Sequence, residues 1–182
     1  MNISTPEQVL TGIQNALVSL KDEDGMLFQM HIGATSTYYS RKLHEVCINH
    51  KLAEKLTNNL LGLFTDCSKL YIDIEFNREG TRPKYAIIKH VKKLARPDII
   101  LHNRKTGANK NNILIVECKK RGTTKRQRQC IKDDIGKIRG FMTDPRYAYI
   151  YGLQVIYSPK SITGTFFYHL QGTIAEKPIN IC

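Results

Sequence analysis

Asp98 stands just after Pro97 and opens the run Pro97 to His102 (PDIILH), while Glu117 and Lys119 close a second run, Ile113 to Lys119 (ILIVECK). In an extended strand, residues two apart share a face, so Glu117 and Lys119 point together and Cys118 points away. The wholly apolar Ile113 to Val116 before them suggests a strand buried on both faces. A carboxylate and an ammonium at the end of such a strand are costly to bury unless paired or bound to something. If the two runs pair as a hairpin, Asp98 comes close to Glu117. Two adjacent carboxylates repel, and a divalent cation resolves the repulsion. Hard oxygen donors suit Mg²⁺ or Mn²⁺, which keep several waters and add phosphate oxygens. Lys119 beside them would lower the pKa of a water on the metal or stabilise charge in a phosphoryl transition state.

The elements that must position these residues are legible in the periodicity. Ser4 or Thr5 caps a helix that opens at Pro6 and Glu7, runs through Val9, Leu10, Ile13, Leu17 and Leu20, and ends at Lys21 to Gly25 (KDEDG). A second helix is predicted from about Ser40 to Leu61, with Leu43, Val46, Cys47, His50, Ala53, Leu56 and Leu60 marking one face. The period then changes to two: Ile72, Ile74 and Phe76 alternate with Tyr71, Asp73 and Glu75, as in a half-buried strand. Between the two central runs, NRKTGANKNN has the Gly, Asn and charge of a hairpin turn. Gln127 to Met142 reads as a helix with Ile131, Ile135, Ile138 and Phe141 on one side. Tyr147 to Tyr157 and Ser161 to Leu170 read as two aromatic, β-branched strands. Helix, three strands, helix, two strands gives an α/β class, a central mixed sheet flanked by helices. A chain of 182 residues suits a single domain.

The Pro97-Asp98 pair followed by Glu117-Cys118-Lys119 resembles the signature of the PD-(D/E)xK nuclease superfamily, whose fold is called restriction endonuclease-like. The flanks extend the resemblance. Asp73 to Arg78 (DIEFNR), Arg96 to His102 (RPDIILH) and Lys132 to Lys137 (KDDIGK) are similar to a bacterial and phage branch of it. His44-Glu45 with His50-Lys51-Leu52-Ala53 resembles its first core helix. The match covers roughly residues 40 to 157, and the predicted αβββαβ order is that of the superfamily core. It implies a nuclease domain with residues 1–39 as an N-terminal helical extension, 40–157 as the core and 158–182 as a C-terminal strand and tail. It further implies phosphodiester hydrolysis, with Asp98 and Glu117 holding Mg²⁺ (or Mn²⁺), Glu45 as an accessory ligand, and Lys119 activating or positioning the water. Cys118 occupies a place where an aliphatic residue is commoner, and residues 1–39 match no part of the family pattern.

Charge points the same way. Lys plus Arg number 28 and Asp plus Glu 16, a formal net charge of +12, which favours a polyanionic partner, with nucleic acid ahead of a membrane surface. Six Lys or Arg and no acid lie between Lys119 and Arg128, and another six with no acid between Gly80 and Arg96. One such run is usually a solvated face; two beside a candidate metal site suggest a groove for phosphates. That groove would be bounded by Arg82, Lys84, Lys92, Lys93, Lys120, Arg121, Lys125 and Arg126. DNA is favoured over RNA as the polymer. A homodimer is compatible with the resemblance, and no sequence feature fixes it. No stretch approaches the roughly 18 apolar residues of a membrane span, and the first residues lack the basic-then-apolar build of a secretory signal. Five cysteines with no C-x-x-C pair argue against a disulfide framework or a zinc site. The expectation is a cytoplasmic protein with reduced, mostly buried thiols.

Plainer readings stand beside these. Glu45 would equally be a solvated residue on an amphipathic helix, Asp73 and Glu75 exposed strand carboxylates, Arg78 and Arg96 ion-pair partners, and His90 and His102 surface histidines. At the level of function, the same fold would also serve as a catalytically idle nucleic-acid-binding module, or as a phage-type inhibitor that binds a protein target.

Overall fold

The computed structural model describes residues 4–25, 27, 45–64, 69–75, 78–79, 82–83, 85–88, 91–94, 96–104, 112–121, 124–158 and 160–182, with 78–79, 82–83, 86–88 and 91–94 described by backbone alone. Helix α1 spans Pro6–Asp24, and Thr5 and Gln8 close a reciprocal capping box at its start. Helix α2 is described over Glu45–Leu60 and passes into a single 3₁₀ turn, Leu61–Leu63. Six strands form the main sheet: β1 (Tyr71–Ile74), β6 (Ile99–His102), β7 (Asn112–Lys120), β8 (Tyr151–Tyr157), β9 (Ile162–Leu170) and β10 (Thr173–Ile181), hydrogen-bonded in the order β1-β6-β7-β8-β9-β10. Helix α3, Lys125–Thr143, carries the chain from β7 to β8, the one parallel pair, and the other pairs are antiparallel. A parallel pair needs such a crossover because the chain must return to the starting end of the sheet.

Strand β7 explains the layering. Its residues 113–118 are all buried, because helices cover both faces of the sheet. Val116 and Cys118 join Leu153, Val155 and Tyr157 of β8 in the larger core, with Ile13, Leu17 and Leu20 of α1 and Ile48, Leu52 and Leu56 of α2. Ile115 faces the opposite side with Ile100 and Phe167, against Ile138, Phe141 and Met142 of α3. Gly152 lets α3 come this close: a Cβ at that position would lie 2.3 Å from Ile138 Cγ2 and 3.0 Å from Met142 Sδ.

Four features depart from the pattern read in the sequence. Thr173–Ile181, expected as a tail, is the outer strand β10; its lack of strict alternation and its Pro178 suit a sheet edge, where one side of the ladder is unpaired. Within the basic segment 78–94, two small hairpins form, β2 (Arg78–Glu79) with β3 (Arg82–Pro83) and β4 (Tyr85–Ile88) with β5 (Val91–Leu94). The Tyr85 amide ties the second hairpin to the α3 side by donating to Tyr147 Oη at 3.0 Å. The buried residues of α2 are Ile48, Asn49, Leu52, Ala53, Lys55, Leu56 and Leu60, whereas Val46, Cys47 and His50 are exposed. The i, i+4 row from Ile48 to Leu60 offers larger aliphatic side chains to α1 than the row through Val46 does. Finally, of the described cysteines only Cys118 is buried; Cys47, Cys130 and Cys182 are free and exposed. Among the described residues, no helix is long and apolar enough to cross a membrane.

Candidate active site

Antiparallel pairing sets Ile99 opposite Val116, so Asp98 falls beside the Glu117–Cys118 step of the neighbouring strand, as the hairpin reading expects. The contact is specific: the Cys118 amide donates to Asp98 Oδ2 at 2.7 Å. One residue earlier on β7, Glu117 faces α3 and is 1% exposed. Lys137, three turns into that helix, brings its Nζ to within 2.7 Å of both carboxylate oxygens, with hydrogen-bond geometry to Oε2. Glu117 Oε1 makes no hydrogen bond among the described residues. Burial is the largest influence on this carboxyl and pushes it up to about 8; Lys137 opposes the shift, and the charges of Asp98 and Asp134 add to it.

Glu45, the first described residue of α2, accepts from the Lys120 amide at 3.0 Å through Oε1, and its Oε2 lies 3.9 Å from Lys119 Nζ. It is not a freely solvated helix residue; burial raises its pKa, with Lys119 acting against that. The Lys119 ammonium stands between layers, 3.9 Å from Glu45 on α2 and 4.0 Å from Asp134 Oδ2 on α3. Burial alone would lower its pKa, but Asp134, Glu45, Asp98 and Glu117 together raise it, so Lys119 is a cation held by its surroundings.

Sequence reasoning singled out Asp98, Glu117, Lys119 and Glu45, and all four meet at the ends of β6, β7 and α2. It left Asp134 and Lys137 outside the site. Both lie within KDDIGK, three residues apart and so on one helical face. The available signal is that Asp134 sits in the apolar row of Ile131 and Ile138, where a charge needs a partner. Burial pushes the Asp134 carboxyl up to about 6 against the pull of Lys119 and Lys137, and its Oδ2 makes no hydrogen bond among the described residues. Gln154, opposite Glu117 in the parallel ladder, is also buried and donates to the Ile131 carbonyl at 2.7 Å, fixing β8 to α3 beside the site.

Four carboxylates, Glu45, Asp98, Glu117 and Asp134, thus surround two ammonium groups, Lys119 and Lys137. The donors are hard oxygens, the kind that Mg²⁺ and Mn²⁺ take, and Glu117 Oε1 has an unused lone pair. As the side chains stand, no three His, Cys, Asp or Glu among the described residues form a group that could hold a metal ion. Each predicted ligand instead has a partner from the chain: Lys137 on Glu117, the Cys118 amide on Asp98, the Lys120 amide on Glu45.

Beyond Lys120 the chain turns into α3, whose first turns carry exposed Lys125, Arg126 and Arg128, with exposed Arg121 before them. Thr124 caps this helix in a second reciprocal box with Gln127. Lys84 and the side chains of Arg82, Lys92 and Lys93 lie outside the described residues. At the far end of β6 and on its neighbour β1, His102 and Asp73 are not the surface residues expected: His102 Nε2 lies 2.7 Å from Asp73 Oδ2, both are largely buried, and Arg104 pairs with the same carboxylate. Arg96 does pair, with Glu75 at 3.2 Å. No family model, curated protein or solved structure matches the chain.

Proposed function

We propose that this chain is a metal-dependent nuclease that hydrolyses phosphodiester bonds, in DNA ahead of RNA, on a restriction endonuclease-like core. The observation that carries the reading is the convergence of Asp98, Glu117 and Lys119 from two paired strands, with Glu45 arriving from α2. Asp98 and Glu117, with Glu45, would hold Mg²⁺ or Mn²⁺, and the bound ion would act as a Lewis acid on the phosphate. Lys119, kept charged by four carboxylates, orients a water or offsets charge on the scissile phosphate. The Cys118 amide holds the Asp98 carboxylate in place, so its orientation does not depend on the ion. The exposed bases at the start of α3 lie directly after β7 and supply phosphate contacts, aided by the positive end of the helix.

The pairing of Glu117 with Lys137 favours a second reading, a nucleic-acid-binding module of the same architecture that does not turn over. Incubation with supercoiled plasmid, linear duplex, single-stranded DNA and RNA, each with Mg²⁺, Mn²⁺ or EDTA, separates the two. Cutting that requires the ion supports the nuclease; binding with no cutting on every substrate supports the module.

A further inference from the structure

We propose that Lys137 is a built-in counter-cation, which holds the Glu117 carboxylate until a divalent ion displaces it. The inference rests on the nuclease reading and adds a residue outside the PD…ExK signature. Glu117 is 1% exposed, and its ionised form is strongly disfavoured there unless a cation stands beside it. Lys137 supplies that cation, and at the same time donates to the Arg96 carbonyl at 2.8 Å, two residues before Asp98. Its ammonium therefore bridges Glu117 and the segment leading to Asp98, between the two predicted ligands.

Two observations make this pairing exchangeable. The ammonium lies 2.7 Å from both Glu117 oxygens but has hydrogen-bond geometry to Oε2 only, so Oε1 is held by charge alone and keeps a lone pair that a chelating ion would take. Lys137 also has somewhere to go. Asp134 lies one turn earlier on the same face, its Oδ2 likewise without a hydrogen bond, and the Lys137 side chain is 15% exposed at the end of a flexible four-carbon stem. Exchange of one ammonium for one divalent ion adds a positive charge among four carboxylates, which favours the ion.

The test measures binding of Mn²⁺ alone, by electron paramagnetic resonance, to wild type, K137Q and E117Q. Removal of the competing ammonium should tighten Mn²⁺ binding by K137Q at least tenfold, and E117Q should lose it. Equal or weaker binding by K137Q, with wild type binding, overturns the role of Lys137 and leaves the nuclease reading standing. Absence of binding in both wild type and K137Q overturns the two together. Because K137Q leaves a buried carboxylate without its cation and could fail to fold, a second readout uses wild type only. Acylation of the Lys137 amine, read by mass spectrometry, should rise severalfold when Mg²⁺ is added to protein that binds Mn²⁺; unchanged labelling overturns the proposal.

Discussion

Asp98 accepts a hydrogen bond at 2.7 Å from the amide of Cys118, the residue that separates Glu117 from Lys119. The acid on one strand is therefore locked to the backbone of the motif on the next, and the three side chains share one rigid frame. A hydrogen bond to a charged acceptor contributes more than a neutral one, roughly 1.5–3 kcal/mol.

Asp98→Ala should consequently lower stability by about 1–3 kcal/mol, since the Cys118 amide is left without its acceptor in a partly buried place. Asp98→Asn should cost less, because its amide oxygen still accepts. Urea unfolding of the two variants checks this; an Asp98→Ala protein as stable as wild type would remove the structural role.

The buried acids give the metal-free protein a definite pH dependence. Glu117, near 8, and Asp134, near 6, both titrate above their ordinary values of 4.5 and 3.8. Between the ordinary and the shifted value the folded state holds protons that the unfolded state has lost, so the stability these groups contribute is present at low pH and disappears as pH rises through about 6 and then about 8. Thermal unfolding in EDTA should show falling stability from about pH 5 to 9, by an amount on the order of several kcal/mol at about 1.4 kcal/mol per pKa unit. Asp73 and Asp144, held low by their arginine partners although burial acts against this, titrate below that window. Glu117→Gln should flatten the upper part of the curve, and an unchanged slope in that variant would contradict the assignment.

Gly152 offers a test at a residue that carries no side chain into the site. Its missing Cβ is what admits Ile138 and Met142, so Gly152→Ala forces α3 outward and should destabilise by about 1–3 kcal/mol, as overpacking does. The same displacement moves Asp134 and Lys137 away from Glu117. A well-tolerated Gly152→Ala would show that α3 does not need this close approach.

Affinity for DNA should fall steeply with salt, because counterions leave the phosphates as the protein binds. Substituting Arg121, Lys125 and Arg126 by Ala should each reduce the slope of log affinity against log salt by roughly one. A salt-independent constant, or slopes unmoved by all three changes, would remove the start of α3 from the interface.

What the sequence made legible follows from local rules. Strands β6 and β7 and the placement of Asp98 against Glu117 came from two short apolar runs joined by a Gly-Asn turn, and β1 from a period-two alternation. Helix α3 came from an apolar row every three or four residues. The rest depended on tertiary neighbours. On α2, Ala53, Leu56 and Leu60 are buried as expected, but Val46, Cys47 and His50 are not, because apolar residues occur on both sides of its first half and only packing against α1 selects Ile48 and Leu52. Thr173–Ile181 looked like a tail because an edge strand carries Pro and charge in place of a clean alternation. Asp73 and His102 looked exposed because each buries itself with the other, a partnership 29 residues apart in the chain. Asp134 and Lys137 reach Glu117 only because α3 crosses back over β7, which no spacing within KDDIGK reveals.

The central claim is that the Asp98, Glu117 and Lys119 cluster hydrolyses phosphodiesters with a divalent ion. Its most direct test is cleavage of supercoiled plasmid by wild type, Asp98→Asn and Glu117→Gln, in Mg²⁺ and in EDTA, with DNA affinity measured on the same samples. The expected result is ion-dependent nicking by wild type, lost by at least a hundredfold in both variants while DNA binding and folding persist. Ion-dependent cleavage retained by both variants would contradict it.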